Sequence, residues 1–88
     1  MYPRLRNLRE DKDLTQTKLG NIIGMSQTGY SKYETGENDI PTSILIELAS
    51  YYRTSVDYLL GMTDRMEPYP RSPRYSGKYK DMEKHPQL

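Results

Sequence analysis

Apolar residues recur at helical spacing between Leu5 and Leu60, and no stretch alternates between apolar and polar residues as a strand does. Leu5 and Leu8 share one face of a first predicted helix. The apolar positions of the four later helices are Leu19, Ile22 and Ile23, then Tyr30 and Tyr33, then Ile44, Leu45, Leu48, Ala49 and Tyr52, then Val56, Leu59 and Leu60. The pattern predicts five short helices joined by tight turns, which form a compact all-α domain.

Residues that favour helix ends mark the limits of these helices. Pro3 suits a first helical turn, because its missing N–H would have no partner there. The predicted N-caps of the second, third and fifth helices are Thr15, Ser26 and Ser55. The predicted terminators of the same three helices are Gly24, Gly36 and Gly61.

The distribution of aliphatic residues separates a domain from a tail. Of fifteen Leu, Ile and Val residues, fourteen lie between Leu5 and Leu60, whereas four of the six prolines follow Gly61. Residues 62–88 lack the apolar surface that would offset the entropy of ordering them. We therefore predict a domain over residues 4–61 and a weakly ordered, flexible tail over 62–88. A solvated tail is the simpler interpretation, although its basic residues and tyrosines could also contact DNA or a partner.

Composition excludes several kinds of chemistry. The 88 residues include no cysteine and one histidine, His85, which excludes disulfides, thiolate metal sites and histidine clusters. No apolar run approaches the roughly 20 residues that a membrane span needs. The N-terminus also lacks the apolar segment of a signal peptide. We expect a cytoplasmic protein that is not an enzyme, with no catalytic residue, no metal, no cofactor and no membrane partner.

Two of the predicted helices meet across the three-residue turn Gly24-Met25-Ser26. This spacing, within residues 16–35, is typical of a helix-turn-helix motif. Gly20 precedes Gly24 by four residues, and the absence of a Cβ atom there would allow the next helix to cross closely over it. The spacing alone is not specific, because many helical hairpins contain glycines.

Several further segments make nearly the whole domain resemble one family. The matching segments are RLRNLREDKDLTQTKLGNIIG, MSQTGYSKYETG, IPTSILIELASYY and TSVDYLLG. Together they resemble the Cro-type (XRE-like) helix-turn-helix domains of phage repressors and bacterial transcriptional regulators. The resemblance covers residues 4–61 and implies a five-helix, lambda-repressor-like DNA-binding fold. It does not extend to the tail.

The resemblance implies which side chains contact DNA. On the third helix, the polar residues opposite the tyrosines are the expected base contacts: Gln27, Thr28, Ser31 and Lys32. A glutamine can form two hydrogen bonds with adenine, a threonine methyl can contact thymine, and a lysine can reach guanine or a phosphate. The expected phosphate contacts are Gln16, Lys18 and Ser26, in the first turns of two helices, where N–H groups and the helix dipole favour anions.

The resemblance also implies a structural pair and a dimer. Arg9 and Glu34 occupy the positions at which relatives join the first helix to the recognition helix. A buried pair of this kind fixes geometry more surely than it adds stability. In the family the dimer contact lies near the last helix, and the candidates here are Tyr58, Leu60 and Met62.

Charge is unevenly divided within the domain. Residues 1–33 hold six basic and three acidic residues, a net charge of +3, and residues 34–60 hold one basic and five acidic residues, a net charge of −4. The positive half carries the predicted motif, as a DNA-facing surface requires. Some relatives carry basic residues in the loop that here is acidic, Glu37-Asn38-Asp39. The acidic loop predicts weak non-specific binding to DNA. Gly29 is a second departure, because glycine inside a helix costs about 0.5–1 kcal/mol relative to alanine.

These observations predict a sequence-specific, double-stranded DNA-binding transcriptional regulator. We expect a repressor that binds a palindromic operator as a homodimer, since two recognition helices about one DNA turn apart give a small domain useful affinity. The alternative is a protein-interaction module, such as an antitoxin or accessory factor, which the acidic second half and the tyrosines of the tail favour slightly. The chain after Gly61 is too short for a separate small-molecule ligand domain.

Overall fold

Five α-helices form the domain, in the order that the sequence predicts. A computed structural model describes residues 2–70. The helices are α1 (Pro3–Asp11), α2 (Gln16–Ile23), α3 (Gln27–Thr35), α4 (Thr42–Tyr52) and α5 (Val56–Leu59). Residues 2–70 contain no strand, and no helix among them is long and apolar enough to cross a membrane. The all-α prediction is confirmed.

The three predicted N-caps are all made. The hydroxyl oxygens of Thr15, Ser26 and Ser55 each accept a hydrogen bond from the backbone N–H three residues later, at 3.0–3.1 Å. Each bond satisfies an N–H group that has no partner within its own helix. Gly24 ends α2 in the left-handed conformation, with φ of 79°. This conformation allows the chain to turn sharply into α3.

The core collects apolar side chains from every helix. Its fully buried members are Leu5, Leu8, Leu19, Ile23, Tyr30, Leu48, Ala49, Tyr52 and Leu59. Burying a Leu, Ile or Val side chain stabilises a fold by about 1.5–3 kcal/mol. Tyr33 and Leu45 are half-buried and pack against the edge of this core, and Leu60 is half-buried.

Gly20 packs directly against the backbone of the turn that joins α2 to α3. A Cβ atom added at Gly20 would lie 2.7 Å from the carbonyl oxygen of Met25, closer than two such atoms can approach. The close neighbours of Gly20 are thus residues of this turn, Met25 and Ser26. The position of α3 relative to α2 therefore depends on a residue without a side chain.

Residues 62–70 have no helix or strand, yet polar contacts attach them to α1 and to the turn between α4 and α5. Arg4 Nη1 donates to the carbonyl oxygen of Thr63 at 2.6 Å and to that of Tyr58 at 3.0 Å. Thr54 Oγ1 donates to the carbonyl oxygen of Met66 at 2.6 Å. The sequence did not predict these attachments, because bonds to backbone carbonyl groups leave no apolar pattern. The predictions made for residues 71–88 lie outside the described part of the chain.

Candidate nucleic-acid interface

The two helices of the motif are joined at their first residues. Gln16 begins α2 and Gln27 begins α3. Gln27 Nε2 donates a hydrogen bond to Gln16 Oε1 at 2.6 Å. Because Gln27 is exposed and Gln16 is half-buried, this bond lies at the edge of the protein surface. This bond was not predicted from the sequence. Both glutamines directly follow a predicted N-cap, and this shared position is the signal that could have paired them.

A buried ion pair holds α1 against the end of α3. Arg9 Nε donates to Glu34 Oε2 at 2.7 Å, and Arg9 Nη2 donates to Glu34 Oε1 at 3.1 Å. The two side chains are 11% and 5% exposed. The structure thus brings together the two residues that the resemblance paired. Arg9 Nη1 also donates to the carbonyl oxygen of Leu14 at 2.7 Å, so the guanidinium bridges three parts of the chain.

The buried pair and the glutamines form one continuous group. Gln16 Nε2 donates to Glu34 Oε1 at 3.1 Å, while Gln16 Oε1 accepts from Gln27. Hydrogen bonds therefore run from Arg9 through Glu34 and Gln16 to Gln27, and lead from the interior to the surface of α3. The sequence analysis placed Gln16 on a phosphate and did not predict its contact with Glu34.

The electrostatics of this group favour an ionised Glu34. Burial alone would raise the pKa of the Glu34 carboxyl, but the hydrogen bond from Arg9, together with Tyr30 and Gln16, lowers that pKa below its ordinary value. The hydrogen bond to Glu34 raises the pKa of Arg9. Glu34 is therefore a carboxylate at neutral pH and can only accept hydrogen bonds.

Two tyrosine hydroxyls are buried near the ion pair. Neither Tyr30 Oη nor Tyr52 Oη has a hydrogen-bond partner of normal geometry. Burial raises the pKa of both tyrosines, and the nearby carboxylate of Glu34 raises it further. Both hydroxyls therefore stay protonated at neutral pH.

The predicted base contacts lie on α3 and differ in exposure. Gln27 and Thr28 are exposed, whereas Ser31 and Lys32 are half-buried. Tyr30, on the same helix, is completely buried. The four side chains thus share a helix whose orientation the core fixes.

The predicted phosphate contacts lie around the N-terminal ends of α2 and α3. Lys18 is exposed in the first turn of α2, and its backbone N–H bonds the cap residue Thr15. Ser26 is exposed, and its hydroxyl oxygen accepts from the N–H of Gly29, so the hydroxyl hydrogen can still be donated. Gln16 is nearest the buried pair. Its Nε2 group has a second N–H besides the one bonded to Glu34.

The predicted dimer residues differ in their exposure. Met62 is 74% exposed, while Tyr58 and Leu60 are half-buried. The guanidinium of Arg4 lies over the Tyr58 ring, 4.0 Å from its centroid, and covers that face of the ring. Ile46, Met66 and Tyr69 are further exposed apolar residues, which the sequence analysis did not select.

The described part of the chain offers no set of side chains that could bind a metal ion. Residues 2–70 contain no group of three or more His, Cys, Asp or Glu side chains that could hold an ion. The polar groups brought together here are instead hydrogen-bond donors and acceptors.

Comparison with known proteins gives matches over the same region. The profile of the helix-turn-helix family matches residues 5–59. YobD of Bacillus subtilis, an uncharacterized HTH-type transcriptional regulator, is 42% identical over 65 residues, which are 74% of this chain and 58% of YobD. The cryptic phage CTXphi transcriptional repressor RstR of Vibrio cholerae is 38% identical over 58 residues, which are 66% of this chain and 52% of RstR.

A third relative has a different role. Antitoxin PezA of Streptococcus pneumoniae is 27% identical over 64 residues, which are 73% of this chain and 40% of PezA. The chain spans about half the length of the curated relatives it matches. No solved structure matched the chain.

Proposed function

The chain belongs to the helix-turn-helix family of DNA-binding transcriptional regulators, and from this premise we propose that it is a repressor that binds a palindromic operator as a homodimer. The observation that carries the proposal is the exposed amide of Gln27, held in place at the start of α3 by Gln16. We place its action on DNA in the cytoplasm of a bacterial cell, with no catalytic step and no cofactor.

Base recognition starts from the Gln27 amide. One N–H of this group is bonded to Gln16, which leaves its carbonyl oxygen and its second N–H for a partner. Adenine presents one donor and one acceptor side by side in the major groove, and a glutamine amide matches both. Thr28, Ser31 and Lys32 follow on the same helix as the further proposed base contacts.

Phosphate binding would position α3 in the groove. The unbonded N–H groups at the start of α2, together with Gln16 and Lys18, suit one phosphate, and the hydroxyl of Ser26 suits another. These contacts carry no sequence information themselves. They fix the register in which the base contacts are made.

Dimerisation would supply the affinity that one small domain lacks. The proposed dimer residues are the exposed Met62 and the half-buried Tyr58 and Leu60, which lie in α5 or directly after it. Contact with a second copy through these residues would set the distance between the two recognition helices. In helix-turn-helix dimers this distance is about one turn of DNA.

Selection from random duplex DNA tests the proposal. The purified protein is incubated with the pool at near-physiological salt, and the selection is repeated with Gln27→Ala. We expect an enriched, two-fold symmetric site for the native protein and the loss of one preferred base pair in each half-site for the variant. Thermal unfolding of both proteins controls for the fold, because Gln27 is exposed and its removal leaves the core intact. No enrichment by a folded native protein would contradict the proposal.

A protein-interaction module is the second candidate function. A groove between α4 and the chain after α5 is lined by Ile46, Ala49, Val56, Pro68 and Tyr69. This exposed apolar surface, and the antitoxin among the relatives, favour binding to another protein. Stoichiometric co-purification with a partner that contacts residues 44–88, together with no selected DNA site, would support this function over the first.

A further inference from the structure

Four polar side chains connect the interior of the domain to the exposed start of α3. Arg9 donates twice to Glu34, at 2.7 and 3.1 Å. Gln16 Nε2 donates to the same carboxylate at 3.1 Å, and Gln16 Oε1 accepts from Gln27 Nε2 at 2.6 Å. No apolar residue interrupts this series of hydrogen bonds.

The chemistry of the carboxylate sets the direction of every bond in the series. A carboxylate only accepts, so Gln16 must turn its NH₂ group toward Glu34. Its carbonyl oxygen then faces Gln27, which must in turn offer an N–H. A glutamine amide on a bare surface has no such constraint, because its two ends are nearly equal in shape and can exchange by rotation.

We propose that Glu34 is a positioning residue for base recognition: through Gln16, it fixes which end of the Gln27 amide faces the protein and which end faces a base. This inference rests on the proposed function, since it requires that Gln27 contacts DNA. Glu34 itself, 5% exposed at the inner end of the series, touches no base.

The fixed orientation favours one base. Adenine offers a donor at N6 and an acceptor at N7, so the amide must present its oxygen to N6 and its N–H to N7. With the ends exchanged, two donors would meet at N6 and two acceptors at N7. The orientation imposed by Glu34 therefore acts on the preference for adenine over other bases, whereas it has no effect on contacts with phosphates.

The variant Glu34→Gln leaves one acceptor where there were two, with little change in shape. Arg9 donates to Oε2 through Nε and to Oε1 through Nη2, and Gln16 also donates to Oε1. The single oxygen of the new amide can take either place, and in one of the two placements an NH₂ group faces Gln16. The orientation of Gln16 is then no longer fixed, and neither is the donor–acceptor order that the Gln27 amide presents to the base.

Binding to single-base-pair variants of the selected site measures this effect. The dissociation constant is determined for the duplex with adenine opposite Gln27 and for the three duplexes with another base there. For the native protein we expect an adenine preference on the order of 10- to 100-fold. For Glu34→Gln we expect it to fall to about threefold or less, while the preferences at the other positions of the site remain.

A matched control distinguishes a loss of amide orientation at Gln27 from a general loss of affinity for DNA. Lys18→Ala removes a proposed phosphate contact in the same turn as Gln16, so it should weaken binding to all four duplexes alike and leave the adenine preference unchanged. A merely structural role for Glu34 would likewise change affinity without changing the ratio between duplexes. That result would overturn the inference.

A second variant keeps the test decisive if Glu34→Gln does not fold. Gln16→Met has a side chain of similar length, keeps the buried Arg9–Glu34 pair and removes both hydrogen bonds between the pair and Gln27. It should lower the adenine preference to the same few-fold level. An undiminished preference in Gln16→Met would overturn the inference.

The same measurements separate the inference from the function on which it rests. If the native protein selects no site, the proposed function fails and the inference fails with it. If the native protein selects a site and Gln27→Ala loses the adenine preference, the function stands. An unchanged preference in folded Glu34→Gln then overturns only the role of Glu34.

Discussion

The carboxylate of Glu34 is 5% exposed and accepts hydrogen bonds from both Arg9 and Gln16. Taking charges out of water costs several kcal/mol per ion, which the pairing must offset. The pair therefore stabilises the domain less than its short distances suggest. It also connects three helices, because Arg9 of α1 and Gln16 of α2 both donate to Glu34 of α3.

At the scale of single residues, Glu34 should make the domain sensitive to acid. Its pKa is lower in the folded protein than in the unfolded chain, so the unfolded chain binds the proton more readily as the pH falls. The stabilisation should be complete well above about pH 4.3, the ordinary glutamate value, and should be lost as the pH falls through the lowered pKa. Urea denaturation between pH 7 and pH 2 measures this slope. Glu34→Gln should show a shallower slope over the same range, and an equal slope would contradict the assignment.

The two buried tyrosine hydroxyls should respond differently to removal. Tyr52 Oη is buried without a hydrogen-bond partner, so Tyr52→Phe should raise the free energy of unfolding by about 1 kcal/mol. Tyr30 Oη helps to stabilise the ionised Glu34, so Tyr30→Phe should give a smaller gain or none. Urea denaturation of both variants at pH 7 measures the difference. Equal losses of stability in the two variants would show that both hydroxyls make hydrogen bonds.

At the scale of helices, two glycines of the motif should behave in opposite ways. Alanine at Gly20 would place Cβ 2.7 Å from the backbone oxygen of Met25, and the resulting shift should cost about 1–3 kcal/mol despite the better helix propensity. Alanine at Gly29 would meet only side-chain atoms, Ser26 Oγ at 3.2 Å and the flexible end of Met25, Cε, at 3.3 Å. Gly29→Ala should therefore be close to neutral or slightly stabilising. Thermal unfolding of the pair checks this order, and a neutral Gly20→Ala would contradict the close packing of Gly20 against the turn.

Much of the helical architecture could be predicted because its causes are local in the sequence. The caps at Thr15, Ser26 and Ser55 act over three residues, and the left-handed Gly24 acts on a single turn. The bond between Gln16 and Gln27 joins residues 11 positions apart, and its geometry exists only after α2 and α3 have packed. Periodicity and capping carry no information about such a contact.

At the scale of the whole molecule, one arginine connects the two ends of the domain. Arg4 in α1 bonds backbone oxygens of Tyr58 and Thr63, and it lies over the Tyr58 ring. The scarcity of aliphatic residues after Gly61 predicted a flexible tail. Polar attachment of this kind depends on the three-dimensional position of two backbone carbonyl groups, which the sequence pattern cannot specify.

The attachment by Arg4 should contribute measurably to stability. Arg4→Lys keeps the charge but loses the planar set of donors, so it should lower the free energy of unfolding by about 1–3 kcal/mol. Asp64, the acidic partner of Arg4, has a side chain that is 98% exposed, and Asp64→Ala should cost about 1 kcal/mol or less. Urea denaturation compares the two variants. Equal effects would mean that the ion pair, rather than the bonds to the carbonyl groups, carries the attachment.

The proposed recognition of DNA depends on one exposed amide, that of Gln27. The most direct measurement is the ratio of dissociation constants for two duplexes that differ only in the base pair opposite Gln27, for the native protein and for Gln27→Ala. We predict that the native protein prefers adenine by about 10- to 100-fold and that Gln27→Ala, although fully folded, binds both duplexes almost equally. The same adenine preference in native protein and variant would contradict the role of Gln27, and with it the arrangement of the interface.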